Sequence, residues 1–235
     1  MTMKSLDLRG KLPANLIALL REISLISQGL GISSFVIGAT ARDLILGFGY
    51  NIKSPRATRD VDIGVAVSDW SSYEQLRKAF LESGNFSETR IEQRLIWQAA
   101  GRIVLDIVPY GAIESPKGQV AFPPDGGFVM TTHGFSEAEN QTIEVIISDE
   151  VIIKVVSLAG LGLLKLVSFV DRPFERDRDV QDIWFVMKNY LDAGNEERIF
   201  AENGPYLDLL KNFDVELTGA RLFGRDMAEL LNEET

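Results

Sequence analysis

Cysteine is absent from this chain of 235 residues, and histidine occurs once, as His133. Without cysteine there is no disulfide framework, no thiolate metal site and no cysteine nucleophile. A single histidine excludes a zinc site built from several histidines and leaves one candidate for a Ser-His-Asp triad. That candidate lies in a predicted loop, and we assign it no role.

Long apolar runs are also missing. No stretch reaches the roughly 18 uncharged apolar residues of a membrane-spanning helix, and the N-terminal sequence MTMKSLDLRGKLPANL has no continuous apolar segment of the kind found in signal peptides. The lack of cysteine fits a reducing compartment. We therefore expect a soluble, cytoplasmic protein with no membrane partner.

Positive charge is scarce, and the net charge is −10. Because Lys and Arg contacts to phosphates dominate nucleic-acid affinity, this balance argues against broad nucleic-acid binding. The charge is uneven, since residues 1–59 hold eight Lys and Arg against three Asp and Glu, and the remainder holds 16 against 31. The basic first part is compatible with a local anionic substrate, and the acidic remainder with a basic partner.

The pattern of apolar residues predicts strands and helices up to about residue 157 and helices alone beyond it. Helices are predicted at 13–28, 39–49 and 68–84, with Asp69 or Ser68 as the cap of the third. Strands are predicted at 33–38, 60–67, 91–99, 102–110, 142–148 and 151–157, the third and fourth forming an antiparallel hairpin, and residues 111–140 are a predicted loop with one short strand at 128–132. We predict an α+β (mixed α/β) fold: residues 1–157 form a domain with a mixed sheet flanked by helices, and residues 158–235 form a helical C-terminal domain.

Two aspartates, Asp60 and Asp62, open the predicted strand DVDIGVAV. Side chains alternate along a strand, so both carboxylates point to one face and Val61 and Ile63 to the other. Like charges this close raise each other's pKa unless a cation lies between them, and Mg²⁺ prefers such oxygen ligands. The structural alternative is that Asp60 caps the preceding loop and Asp62 lies on a solvated edge.

Asp106 lies inside the apolar strand RIVLDIVPY, where an uncompensated carboxylate costs several kcal/mol. If this strand is the neighbour of DVDIGVAV, Asp106 completes a three-carboxylate cluster with Asp60 and Asp62. Such a cluster can hold two metal ions roughly 4 Å apart, one activating an attacking hydroxyl and one stabilising the leaving oxygen. The alternative is an edge strand from which Asp106 faces water.

The turn VIGATARD joins a predicted strand to a predicted helix. Gly38 lets the backbone approach a ligand closely, the N–H groups at the helix start favour phosphate, and Thr40 can add a hydroxyl. The same pattern occurs in many α/β proteins for packing alone. Its position one loop before the paired aspartates favours the phosphate-binding interpretation.

These residues together resemble the polymerase-beta-type nucleotidyltransferase superfamily, and most closely the AbiEii-like toxin nucleotidyltransferases. The family's G-G-T-A-like turn corresponds to residues 38–41, and its R-x-[ST]-x-D-x-D pattern to residues 56–62. A later pattern, a helix with a lysine followed by R-x-x-[KR]-D-x-x-D, corresponds to LLKLVSFVDRPFERDRDVQDI. The resemblance covers about residues 33 to 190. Ala39 departs from it, because many members have Ser or a second Gly there, and Arg178 stands where Lys is commoner.

The resemblance implies a Mg²⁺-dependent enzyme that transfers a nucleoside monophosphate from a nucleoside triphosphate to a hydroxyl acceptor and releases pyrophosphate. Two Mg²⁺ ions, with Mn²⁺ as the alternative, would be held by Asp60, Asp62 and Asp106, and Asp106 would help to deprotonate the acceptor. The resemblance also implies the toxin of a bacterial toxin–antitoxin pair. Its acceptor would be the end of a transfer RNA and its partner a separately encoded antitoxin.

The resemblance further implies a set of nucleotide-binding residues, and several of them have structural alternatives. Lys165, implied to contact the phosphates, could instead form an ion pair with Asp179 or Asp182 of the acidic helical motif. An arginine in a loop or turn is often solvated or paired with a neighbour. The candidates are Gly38, Ala39, Thr40, Arg42, Arg56, Arg59, Asp179 and Asp182, together with Lys165.

Two rival functions remain open from the sequence. An enzyme of this type could modify a small molecule such as an antibiotic hydroxyl, and an enclosed acidic cleft instead of a basic groove would favour that function. The scaffold could also bind a nucleotide or a partner without catalysis. The second rival predicts that neither Mg²⁺ nor a triphosphate raises the melting temperature and that no nucleotide is transferred.

Overall fold

The computed structural model of this protein describes residues 5–56, 60–123, 126–200 and 214–231. Within them the strands are β1 (Ser5–Asp7), β2 (Ser33–Ile37), β3 (Asp60–Ala66), β4 (Phe86–Glu88), β5 (Arg94–Trp97), β6 (Ile103–Tyr110), β7 (Gln119–Phe122), β8 (Phe128–Thr131), β9 (Thr142–Ser148) and β10 (Val151–Val156). The helices are α1 (Ala14–Gly29), α2 (Gly38–Arg42), α3 (Trp70–Glu82), α4 (Phe135–Asn140), α5 (Leu158–Asp171), α6 (Asp177–Lys188), α7 (Glu196–Phe200) and α8 (Val215–Ala228). A π-helical segment, Asp43–Gly49, continues α2 directly.

Eight strands form one mixed sheet in the order β1-β9-β10-β2-β3-β6-β5-β4, and β7 pairs with β8 in a separate ribbon. In the centre of the sheet, β3 runs antiparallel to β2 and parallel to β6. On its other side β6 runs antiparallel to β5, as predicted for the hairpin. The predicted α+β fold with a mixed sheet flanked by helices is confirmed.

The predicted elements are present, and the structure adds several short ones. The side chain of Asp69 caps α3 by accepting a hydrogen bond of 2.8 Å from the backbone N–H of Ser72. The additional elements are β1, β4, β7 and α4, which have between three and six residues each. Segments this short do not complete enough periods for an apolar pattern to be recognised.

The core explains why β3 presents its carboxylates where it does. The side chains of Val61, Ile63 and Val65 alternate along β3 and are all buried in one continuous apolar cluster. The intervening positions, which include Asp60 and Asp62, therefore lie on the opposite face. Burial of the apolar face selects the strand register that leaves the two aspartates on the cleft side.

The helical part begins with α5, directly after β10, at the predicted junction near residue 157. α5 packs against α2, α4, α6 and α8, so it contacts helices from both sides of that junction. The division into domains at residues 157 and 158 stays a prediction. In the parts of the chain described here, no helix combines the length and apolar character needed to cross a membrane.

Candidate active site

Three aspartates meet on one face of the central sheet. Asp62 is the register partner of Asp106 across the parallel strands β3 and β6, and Asp60 lies two residues before Asp62. Register partners in a parallel pair share a face, as do residues two apart on a strand. All three line a cleft of about 1340 Å³. The condition set by the sequence, that the two strands be neighbours, is met.

Gly38 approaches this cluster from the end of β2. Its φ of +67° lies in the left-handed region, which glycine adopts without strain. A Cβ atom at this position would lie 3.0 Å from the carboxylate carbon of Asp62 and would collide with its Oδ2. Glycine is therefore required by both the backbone conformation and the close approach. Ala39 follows it in the lining of the cleft.

The carboxylate of Asp62 lies in surroundings that disfavour its charge. Burial raises the pKa of Asp62 to about 7, and the negative charges of Asp106 and Asp60 act in the same direction. The positive charges of Lys165 and Arg94 oppose the shift and do not cancel it. Because an ordinary aspartate titrates near pH 4, the cluster is short of positive charge.

Arg94 belongs to this site, although sequence reasoning did not select it. It is the register partner of Asp106 across β5 and β6. Its Nε and Nη2 atoms donate to the two carboxylate oxygens of Asp106, at 2.7 Å each. The available signal was a lone arginine in the strand IEQRLIWQA, opposite a lone aspartate in the next strand of a predicted hairpin.

The donor set fits a hard divalent cation in chemistry, since three carboxylates share a face and one of them lacks a compensating charge. The side chains as they stand do not form a complete ligand group. No three His, Cys, Asp or Glu side chains among the described residues are arranged to hold a metal ion. Both oxygens of Asp106 accept hydrogen bonds from Arg94, so that carboxylate is already engaged.

A second charged cluster joins α6 to the active-site side of the sheet. Asp182 is buried and accepts hydrogen bonds or ion pairs from Arg42, from Arg56 at 2.5 Å and from Lys165 at 2.7 Å. Lys165 also pairs with Asp179 at 2.9 Å. Burial raises the pKa of Asp182, but the charge and hydrogen bond of Lys165, the charge of Arg42 and the hydrogen bond of Arg56 outweigh it and lower that pKa overall.

Two of the implied nucleotide-binding side chains have partners inside the protein in this structure. Arg42 is 1% exposed and is paired with Asp43 and Asp182, so its charge is used inside the protein. Thr40 is buried, and its hydroxyl donates to the backbone carbonyl of Asp60 at 2.7 Å, which ties α2 to the start of β3. Arg42 nevertheless lines the cleft, and contacts of Arg42 and Thr40 with a nucleotide stay predictions.

Arg56 and Lys165 are less buried than Arg42. The side chain of Arg56 is 36% exposed and lines the cleft. Lys165 is mostly buried and forms the ion pairs that the structural alternative anticipated. Arg59 lies outside the described residues, as do Ala57 and Thr58.

The outer part of the cleft is formed by β8 and α5 and by the segment that enters α6. Phe128 and Met130, which share a face of β8, line it. The ring of Phe128 packs on Phe122 with the ring centroids 5.4 Å apart, and Arg172 donates to the carbonyl of Val129 at 3.1 Å. Charges of both signs line this part: Asp171, Arg172, Glu175, Arg176, Asp177 and Arg178. The cleft is thus neither wholly acidic nor wholly basic.

Comparison with solved structures identifies the class of fold. An antigenic nucleotidyltransferase-like protein from Paracoccidioides brasiliensis superimposes with a TM-score of 0.50 at 16% identity, over 93% of each chain. Weaker likenesses are to the antibiotic-resistance factor ANT(2″)-Ia, with a TM-score of 0.44, 13% identity and 93% and 96% of the two chains covered, and to a CCA-adding enzyme with ATP, with 0.38, 17%, 92% and 52%. The likeness to the first of these structures shows a nucleotidyltransferase-like fold.

The family follows from the sequence itself. The family described as "Nucleotidyl transferase AbiEii toxin, Type IV TA system" matches residues 25–233. The chain belongs to this family and is a nucleotidyltransferase. A comparison with curated proteins finds no match.

Proposed function

We propose that this nucleotidyltransferase transfers a nucleoside monophosphate from a nucleoside triphosphate to a hydroxyl acceptor, with Mg²⁺ held by Asp60, Asp62 and Asp106. The observation that carries the proposal is the register of β3 and β6, which gathers the three carboxylates on one face of the sheet. The collision that any Cβ at Gly38 would make with Asp62 supports it, because the open backbone lies directly beside the carboxylates.

Each residue of the site has a proposed role in the reaction. Two divalent ions, when bound, supply an activated acceptor hydroxyl and a stabilised leaving pyrophosphate. Asp60 and Asp62 would hold the ions, and Asp106 would hold one of them and accept the proton of the acceptor hydroxyl. The backbone of Gly38 and Ala39 contacts the phosphates, with no side chain intervening at Gly38.

The cluster around Asp182 supports a further role in binding the triphosphate. Arg56 lines the cleft and is the most exposed of the three cations that contact Asp182. We assign Arg56 and Lys165 to the nucleotide phosphates, and Asp179 and Asp182 to holding those cations in place. A triphosphate then adds negative charge to a cluster whose cations are already ordered, so little side-chain entropy is lost on binding.

The biological role proposed is that of a toxin in a toxin–antitoxin system, with the 3′ end of a transfer RNA as acceptor and an antitoxin protein as partner. The description of the matched family supports the toxin role. The net charge of −10 would repel an RNA in general. Arginines beside the cleft, among them Arg172 and Arg176, provide positive charge where an RNA end would enter.

Labelled nucleotides test this function directly. The protein is incubated with each α-labelled nucleoside triphosphate and Mg²⁺, in parallel with purified transfer RNA, total protein or a small-molecule extract as the acceptor. We expect label in the transfer RNA with wild type, and loss of label with Asp62→Ala. Asp192→Ala, at an exposed position outside the cleft lining, is the control. Equal labelling by Asp62→Ala and wild type would contradict the assignment of the site. Label in the protein or small-molecule sample instead of the transfer RNA would show that the acceptor is not transfer RNA.

A further inference from the structure

Arg94 and Asp106 form an ion pair inside the proposed metal site. We propose that Arg94 is a positioning residue that occupies both carboxylate oxygens of Asp106, so that a divalent cation must compete with Arg94 for Asp106. Arg94 thereby lowers the affinity of the metal site in the protein without nucleotide. This inference rests on the proposed function, because it concerns the same three carboxylates.

The geometry of the Arg94–Asp106 pair indicates that Arg94 and a metal ion would compete for the same carboxylate oxygens, and that Arg94 does more than neutralise the charge of Asp106. Two parallel hydrogen bonds of 2.7 Å engage both oxygens of Asp106, which is the strongest arrangement between an arginine and a carboxylate. A metal ion prefers lone pairs on those same oxygens. Consistent with this conflict, the described residues contain no ready group of three metal-binding side chains, although three aspartates share the face.

Arg94 cannot release Asp106 by losing its proton, because a guanidinium stays charged throughout the physiological range. It must move or share the carboxylate. The structure leaves room for movement: the side chain of Arg94 is 32% exposed and lines the cleft, and Asp106 is 16% exposed. Among the described residues, β5 is followed in the sheet only by the three-residue edge strand β4, so no long strand in that part of the chain covers that side.

Arg94 lines the same cleft as Gly38 and Ala39, whose backbone is proposed to contact the phosphates. A triphosphate there would offer Arg94 another anion to which its planar guanidinium can donate two parallel hydrogen bonds. Nucleotide binding and release of Asp106 are then linked, and such linkage is reciprocal. The metal site is completed when the substrate is present.

Binding of Mn²⁺ alone, measured by calorimetry or electron paramagnetic resonance on the full chain, tests the inference. Arg94→Gln keeps most of the side-chain length and removes the charge, so we expect Mn²⁺ to bind about fivefold more tightly than to wild type, the size expected from removal of a partly exposed ion pair. Arg94→Lys keeps the charge with a single contact point, and we expect an intermediate affinity. Arg77→Gln is the control, since Arg77 pairs with Glu88 and Glu92 outside the cleft lining.

The outcomes separate this inference from the proposed function. If wild type binds Mn²⁺, Asp62→Asn loses it and Arg94→Gln binds no more tightly than wild type, the role of Arg94 is overturned while the metal site stands. If wild type and Asp62→Asn both fail to bind Mn²⁺ with and without a triphosphate, the proposed function itself fails. Should Arg94→Gln not fold, as judged by circular dichroism, Arg94→Lys decides alone, and wild-type affinity in that variant contradicts the inference.

Discussion

Asp62 shows at the scale of one residue how this fold makes a carboxylate available to a cation. The cleft side of β3 brings Asp62 against Gly38, and the carboxylates of Asp60 and Asp106 share that face. Its pKa is raised to about 7, first by burial and then by Asp106 and Asp60. A bound cation would stabilise the ionised form of such a buried carboxylate more than that of an exposed one.

The raised pKa of Asp62 predicts how its replacement changes stability with pH. The folded protein holds the proton of Asp62 more tightly than the unfolded chain does, so stability is lost as the pH rises from about 4 to about 7. Above pH 7 the folded state carries the buried charge. In the absence of metal we expect Asp62→Asn to raise the melting temperature at pH 8 and to change it little at pH 4.

Urea unfolding at the two pH values gives the same comparison as a free energy. Asp60→Asn, at the exposed neighbour on the same face, is the matched control and should show a much smaller difference between pH 8 and pH 4. A melting temperature of Asp62→Asn that falls at pH 8 would contradict the burial of an uncompensated charge.

Gly38→Ala tests the close approach of backbone and carboxylate. Gly31 offers a matched control, because its φ is also +67° but a Cβ there would meet nothing within 4 Å. Both alanine variants should lose about 1–2 kcal/mol from backbone strain. Only Gly38→Ala should also displace Asp62 and lose most of its Mn²⁺ affinity in calorimetry. Equal Mn²⁺ binding by the two variants would remove the role assigned to Gly38.

At the scale of elements, the cluster around Asp182 connects α6 with α2 and α5. Arg42 comes from α2, Lys165 from α5 and Arg56 from the loop before β3. One buried carboxylate thus pairs with three cations from separate elements, and all three line the cleft together with Asp62 of β3. Asp179, one turn earlier on α6, shares Lys165.

Asp182→Asn should therefore destabilise the whole fold. Removing one member of a buried ion-pair group leaves the others uncompensated, and such changes cost about 3–5 kcal/mol. Asp177→Asn, at an exposed position at the start of the same helix, should cost less than about 1 kcal/mol. Urea unfolding of both variants measures the difference, and similar midpoints would show that the cluster does not stabilise the protein.

At the scale of the whole molecule, the sheet and the helical part share one apolar core. The buried cluster contains Ile63 and Ile107 from the sheet together with Leu161 of α5 and Phe223 of α8. A change of architecture near residue 157 does not interrupt this cluster. The active-site cleft is lined from both sides of that point, since Asp62 and Lys165 both contribute to it.

A fragment of residues 1–157 tests whether the first part folds alone. Without α5, the apolar surfaces of α2, α4 and β8 that contact it would meet water. We expect the fragment to show no cooperative thermal transition by circular dichroism, whereas the full chain shows one. A sharp transition of the fragment would establish residues 1–157 as an independent folding unit.

Local sequence patterns predicted that the two aspartates of β3 share a face, but they did not resolve the partner of Lys165 and did not select Arg94. The alternation of DVDIGVAV was sufficient to put Asp60 and Asp62 on one face. The sequence around Lys165 could not show whether its ammonium binds a ligand or pairs with Asp182. The Lys165–Asp182 ion pair joins two different helices, α5 and α6. Arg94 was missed for a related reason: its importance lies in its partner, and the partner is on another strand.

The sequence by itself determined the family, the strand that carries the paired aspartates and the glycine turn that precedes it, because each depends on residues close together in the chain. Tertiary structure alone decided that β6 lies beside β3, that Asp106 faces Asp62, and that Arg94 holds Asp106. Strand order and register are set by burial of the shared core across distant segments, and a local pattern of two residues per period carries no information about which strand will be its neighbour.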